Sequence, residues 1–138
     1  MATWLVKSEP ESWSWQKQTE VGTTCWDGVR NHQASNHLKA MAVGDRAFFY
    51  HSGKAREIVG IVEVVRPYYP DPTDESGRFG MVDVRTVTAL PKPVTLKAVK
   101  AEPRLHHLDL VRQSRLSVMP IDEDAWRLLC AMGGIAPD

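Results

Sequence analysis

The segment Ile58-Val-Gly-Ile-Val-Glu-Val-Val65 constrains the fold most, because it is apolar at every position except Gly60 and Glu63. A short β-branched run of this kind reads as a strand covered on both faces, and so as the middle of a sheet. Gly60 inside it predicts a bulge or a close approach by another part of the chain. Arg46–His51 reads as a second strand, joined to the first through Ser52-Gly-Lys-Ala-Arg56 as a hairpin. Met81–Leu90 alternates apolar positions with Asp83, Arg85 and Thr86, which suits a strand with one wet face. Pro91 and Pro93 are expected to end it, since neither can donate to a ladder.

The flanking elements follow from local signals. Thr3–Val6 reads as a first strand stopped by Glu9-Pro10. Ser12–Gln18 suits one or two helical turns. Over Asn31–Met41, Ala34, Leu38 and Met41 share one helical face, and Gly44-Asp45 marks a turn beyond it. Residues 67–80 carry three prolines and three acids and read as an irregular loop. Tyr68 and Tyr69 within it either rim a site or pack beneath the loop. Val94–Lys100 suits a short helix capped by Thr95, Ser117–Met119 a last strand, and Glu123–Met132 a helix capped by Asp122 and closed by Gly133. The order fits one α+β domain over residues 1–138, with a mixed or antiparallel sheet bent into a small barrel and short helices around it.

Seventeen basic and seventeen acidic side chains cancel, which argues against binding driven by neutralising many phosphates. The distribution is uneven. Residues 28–66 carry six Lys/Arg against three acids and residues 97–115 five against two, so a local basic face and scattered solvated charge are both open readings. There is no long apolar run and no charged-then-apolar start, so a cytoplasmic location, or a nuclear one in a eukaryote, is expected. Cys25 and Cys130 stand alone and are read as two thiols. His106-His107 has no third ligand at metal spacing, and no motif for a cofactor is present; neither metal nor cofactor is expected.

Two segments carry the functional signal: Trp4-Leu-Val-Lys-Ser-Glu-Pro10 and Trp26-Asp-Gly-Val-Arg-Asn31. Each sets a tryptophan beside polar groups of fixed geometry, a combination suited to a flat ligand with a polar edge. A nucleobase fits that description, since its face stacks on an aromatic ring for roughly 1–3 kcal/mol and its edge is read by amides and hydroxyls.

With Val43-Gly-Asp45, Tyr50-His-Ser52, Tyr69-Pro-Asp71 and Ser114-Arg-Leu-Ser-Val118, these segments resemble the EVE domain family over nearly the whole chain. The resemblance implies a PUA-like fold, related to the YTH readers of methylated adenine in RNA. It also implies binding rather than catalysis, with a modified base in DNA or RNA as ligand, methylated or hydroxymethylated cytosine among the candidates. The loop 73–80 departs from the family pattern by retaining Phe79 as its sole aromatic residue.

On this resemblance Trp26 matches the cage tryptophan, and a core role beside Cys25 is its alternative. Lys7, Ser8 and Glu9 match a pocket-lining stretch, where Glu9 can accept from an exocyclic amine. Otherwise Lys7 is a solvated charge and Glu9 a helix-start residue. Asn31 either caps its helix or presents its amide to a base, and Arg30 either meets a phosphate or pairs with Asp27. Tyr50, His51 and Ser52 end a strand where they can face a barrel mouth, with a core or turn histidine as the other reading of His51. Arg115 and Leu116 offer a cation and an apolar wall, though Leu116 reads first as a packing residue of the core. The alternatives in function are a small-molecule or nucleotide sensor using the same cage, and a base-handling hydrolase built from Asp27, His51 and Ser8 or Ser52. No Gly-x-Ser-x-Gly elbow supports the hydrolase.

Overall fold

The sheet is organised around two long antiparallel strands, β4 (Glu57–Pro70) and β5 (Gly80–Thr95), in the computed structural model, which describes residues 1–137. The remaining strands are β1 (Thr3–Ser8), β2 (Thr23–Cys25), β3 (Arg46–His51) and β6 (Val118–Pro120). They form one six-stranded sheet in the order β2–β5–β4–β3–β1–β6. β1 runs parallel to β3 and every other pairing is antiparallel, so the sheet is mixed. Five α-helices surround it: α1 (Trp15–Val21), α2 (His32–Ala40), α3 (Leu96–Lys100), α4 (Asp109–Arg112) and α5 (Glu123–Met132). A 3-10 turn lies at Pro103–Leu105. No helix among the described residues is long and apolar enough to cross a membrane.

β3 shows how the sequence builds a core on both faces of this sheet. Successive side chains of a strand point to opposite sides. Phe48 stacks on Trp126 of α5 with ring centres 4.0 Å apart, while Phe49 meets the edges of Trp15 and Trp26 at 5.2 and 5.4 Å. α5 and the Trp15–Trp26 pair thus cover opposite faces. Gly60 serves the second face: a Cβ there would stand 2.3 Å from the Trp15 ring, so the indole lies directly on the β4 backbone. The β3–β4 register also shifts beside it, between Phe49 and Tyr50.

Three expectations are corrected. The sheet is not closed into a barrel: among the described residues no ladder joins β2 to β6, and each of these edge strands is only three residues long. β2 itself left no readable pattern, being too short for periodicity to register. Pro91 and Pro93 do not end β5. The ladder passes from Gly60–Ala89 to Ile58–Val94, so Leu90–Pro93 bulge against Val59 alone, and β2 reaches only Asp83–Arg85 on the other side. Prolines are tolerated where no partner asks for their missing N–H.

The irregular loop of 67–80 shrinks to the turn Asp71–Phe79, because Tyr69–Met81 and Pro70–Gly80 extend the β4–β5 ladder. Asp74 organises that turn by accepting from the Ser76 and Phe79 amides at 3.0 and 2.7 Å. The helix caps fall where expected: Asn31, Thr95 and Asp122 accept from the amides of Ala34, Ala98 and Ala125. Each aligns with the preference of short polar side chains for the N-cap. Cys25 is exposed, Cys130 is buried, and no disulfide joins them.

Candidate functional site

A cleft of about 590 Å³ opens where the end of β1, the segment before α1, and the β2–α2 connection meet. Lys7, Ser8 and Glu9 line one side, Trp13 another, and Thr24 through Asn31 the third. The chain reaches this arrangement because β2 hands Trp26 back across the sheet. The Trp26 amide donates to Val82 O at 2.7 Å, and its indole lodges edge-on against Phe49 at 86°. At 7% exposure Trp26 belongs to the core and to the cleft wall at once. Val29, also 7% exposed, adds an apolar contact to the same wall.

The polar groups of the cleft are held by the protein on one side and open on the other. Ser8 Oγ donates to Trp13 O at 2.6 Å and so faces a ligand as an acceptor. Lys7 Nζ donates to Ser114 O at 2.9 Å and lies 5.4 Å from the Tyr50 ring centre; burial pushes its pKa down. Glu9 accepts the Ser12 and Trp13 amides through its backbone carbonyl, which fixes the turn after β1, and no hydrogen bond within the described residues engages its carboxylate. Asn31 Oδ1 accepts from the Ala34 amide at 2.9 Å, leaving its NH₂ group for another partner.

A buried carboxylate fastens the Trp26–Arg30 segment. Asp71 is 2% exposed and accepts from the Gly28 amide, Arg30 Nη1, and the amide and hydroxyl of Thr73, at 2.6 to 3.1 Å. Burial opposes its ionisation, but the bonds from Thr73, Gly28 and Arg30 outweigh burial and hold its pKa at about 2. Arg30 therefore pairs with Asp71 and not with Asp27, the partner the sequence offered. Its second nitrogen donates to Thr73 at 2.9 Å, and its side chain stays 40% exposed. Asp71 lies 41 positions from Arg30, so local sequence could offer only Asp27 as an acidic partner.

Of the residues singled out from sequence, Trp26, Lys7, Ser8, Glu9, Asn31 and Arg30 line the cleft, and Tyr50, His51, Ser52, Arg115 and Leu116 do not. Tyr50 is 2% exposed with its ring beside Lys7, and Leu116 is 4% exposed in the core. His51 Nε2 accepts the Trp15 amide at 2.9 Å, and the Ser52 amide donates to Ser8 O at 2.9 Å. Both residues thus support the walls from behind. Arg115 is exposed outside the cleft. Trp13, Thr24 and Ser117 line it without having been singled out; the Trp13-Ser-Trp15 pair after Pro10 was the available signal for the first. The Trp13 indole donates to Gln18 Oε1 at 2.8 Å, which orients its ring.

A larger cleft, about 720 Å³, lies between the start of β1, β6 and α5. Its polar groups are already engaged: Trp4 Nε1 with Asp45, His107 with Asp122, and Arg127 with Glu123. It has little left with which to read a ligand edge, so the smaller cleft is the better site.

An α+β domain whose mixed sheet holds a tryptophan-walled cleft lined by Lys7, Ser8, Glu9 and Asn31 has the form of a ligand-binding module. The chain belongs to the EVE domain family, whose model matches residues 2–132. Human thymocyte nuclear protein 1 is 32% identical over 94% of this chain and 72% of its own length. A Rhodopseudomonas palustris protein solved by NMR superposes with a TM-score of 0.92 at 55% identity, covering 97% of this chain and 94% of that one. The human THYN1 protein in complex with 5-methylcytosine-containing DNA superposes with a TM-score of 0.92 at 32% identity, covering 99% of this chain and all of that one.

Proposed function

We propose that this protein is a non-enzymatic reader of a modified base in nucleic acid, with methylated or hydroxymethylated cytosine in DNA as the first candidate and a modified base in RNA as the second. The observation that carries the proposal is the convergence of Lys7-Ser8-Glu9 and Asn31 on a cleft walled by Trp26 and Trp13. Its volume falls within the range of about 300–1,000 Å³ common for small-ligand pockets. The human relative solved with 5-methylcytosine-containing DNA supports the choice of ligand.

In this reading the base leaves its stack and enters beside Trp26, at a cost of a few kcal/mol that favours weakened or single-stranded sites. Glu9 accepts from the exocyclic amine, the Asn31 NH₂ donates to a ring acceptor or carbonyl, and Ser8 accepts from a second donor. Val29 offers the apolar contact that a 5-methyl group would fill. Tyr50, His51, Ser52, Arg115 and Leu116 support or flank the site. The PUA-like interpretation of the bent sheet, and a cytoplasmic or nuclear place of action, belong to the same proposal.

The hydrolase alternative is disfavoured because its groups point elsewhere. His51 Nε2 is taken by the Trp15 amide and the Ser8 hydroxyl by Trp13 O, so neither serine is paired with the histidine as a nucleophile requires. The test is a fluorescence titration with short DNA and RNA oligonucleotides carrying unmodified or modified cytosine or adenine. We expect preference for one modified base, lost in Glu9→Ala, a variant at an exposed position that removes the acceptor and leaves the core intact. Equal binding of free nucleotide and oligonucleotide would favour the sensor. No binding of any oligonucleotide would overturn the proposal.

A further inference from the structure

We propose that the groove between the β3–β4 loop and α3 holds the phosphodiester backbone of the nucleic acid whose base enters the Trp26 cleft, with Lys54, Arg56, Lys97 and Lys100 as its contacts. The inference extends the base-reader proposal by assigning it a polymeric ligand. The groove has a volume of about 370 Å³ and is lined by these four cations together with Ala55, Thr95 and Leu96. No acid lines it. All four cations are exposed, and none takes part in an ion pair among the described residues.

The fold brings them together from segments about 40 residues apart. The ladder pairs Glu57 with Thr95 and Ile58 with Val94, and the Leu96 amide extends it by donating to Arg56 O at 2.8 Å. α3 therefore begins beside the loop. Arg56 enters β4 with a φ of 45°, a left-handed conformation uncommon for a side chain of its size, which fixes where the loop and the strand meet. Four like charges in one groove raise a positive potential there that attracts an anion. The chain is neutral overall, so this concentration does not follow from a general excess of base. Glu57, the nearest acid in the sequence, pairs across the ladder with Thr95 and does not line the groove.

The groove and the base cleft lie at the same end of the sheet, where β1 and β3 end and β4 begins. Ser8 pairs with His51 across β1 and β3, the Ser52 amide donates to Ser8 O at 2.9 Å, and Lys54 follows two residues on. Lys7, against Tyr50, stands at the same end of the sheet. A strand whose base sits against Trp26 would run its neighbouring phosphates across this end of the sheet toward the groove. Such contacts release counterions, and each steepens the fall of log K with log salt by about 0.9 for duplex DNA or 0.7 for a single strand.

The test compares wild type with the triple variant Lys54→Gln, Lys97→Gln, Lys100→Gln, whose positions are all exposed and outside the core. The probes are a duplex with one 5-methylcytosine, the same duplex unmodified, and 5-methylcytidine monophosphate, each titrated at several salt concentrations. We expect the triple variant to bind both duplexes at least tenfold more weakly at low salt, with the salt slope reduced by about 2 to 3, and to bind the monophosphate unchanged. Glu9→Ala, which removes the acceptor for the exocyclic amine, should do the reverse, losing the preference for the modified duplex and keeping the slope. An unchanged slope in the triple variant, with modified-base preference intact, would overturn the groove and leave the base reading standing. Loss of slope in the triple variant without any modified-base preference in wild type would overturn the base reading and keep the groove. No binding of either duplex by wild type at low salt would overturn both.

Discussion

The Asp71 carboxylate accepts the Gly28 amide at 2.8 Å across 43 positions of sequence, and this bond ties the tip of the β4–β5 hairpin to the loop that carries Trp26 and Arg30. Gly28 sits at a φ of 79°, a turn conformation that aims its N–H at the carboxylate. The hairpin that sequence presented as an irregular loop is thus a brace for the candidate site.

Asp71→Asn should loosen that brace. A buried acceptor of four hydrogen bonds is replaced by a group that accepts fewer, and a loss of about 1–3 kcal/mol in chemical denaturation is expected. The pH dependence follows from the depressed pKa. The unfolded carboxyl titrates near 3.8 and the folded one at about 2, so this contribution is complete above pH 4 and disappears as pH falls through 2. Its size is on the order of 2 kcal/mol. The stability of wild type should therefore fall more steeply than that of Asp71→Asn between pH 4 and pH 2; parallel profiles would refute the assignment.

Asn31 holds two roles that one substitution separates. Asn31→Asp keeps the oxygen that accepts the Ala34 amide and adds a negative charge at a helix N-terminus, so stability should stay level or rise by a few tenths of a kcal/mol. The NH₂ donor is lost, so affinity for the modified base should fall about tenfold, as expected for one hydrogen bond. Asn31→Ala should lose both, with a stability cost of about 1 kcal/mol. Denaturation and titration of the same samples check the pair.

Gly60→Ala should disturb the cleft without touching it. The added methyl group meets the Trp15 indole at 2.3 Å, and the indole packs on Phe49, which in turn supports Trp26. Overpacking of this kind costs about 1–3 kcal/mol. A shift in tryptophan fluorescence together with a lower melting temperature is the expected readout.

His51 should impose a pH dependence near neutrality. Burial lowers its pKa below the ordinary 6.5, against the opposing charge of Glu57, and its Nε2 accepts the Trp15 amide. A group whose folded pKa is depressed contributes stability above its unfolded pKa and loses it as pH falls through the folded value. Stability should decline as pH drops below about 6.5, and His51→Gln should remove that part of the decline. Binding of the modified base at pH 8 should stay within a few-fold of wild type, whereas a catalytic histidine would abolish turnover.

The sequence by itself determined the elements whose signals are local. The caps at Asn31, Thr95 and Asp122, the run at Ile58–Val65, the hairpin from Arg46 and the helix closed by Gly133 depend on neighbours within a few residues, and they are where the sequence put them. The family resemblance, carried by blocks of residues in order, extended that reading to the whole chain and was matched over residues 2–132.

Tertiary structure alone decided what lies across the sheet. β2 is too short to announce itself, and Pro91 and Pro93 stay in β5 because their open side has no partner, which no local rule could foresee. The convergence of Lys7, Trp13 and Trp26, the choice of Asp71 over Asp27 for Arg30, and the gathering of Lys54 and Arg56 with Lys97 and Lys100 depend on strand register. Register sets which face a side chain takes and which distant residue it meets, because a strand alternates its side chains with each step and pairs only with the neighbour the whole sheet supplies.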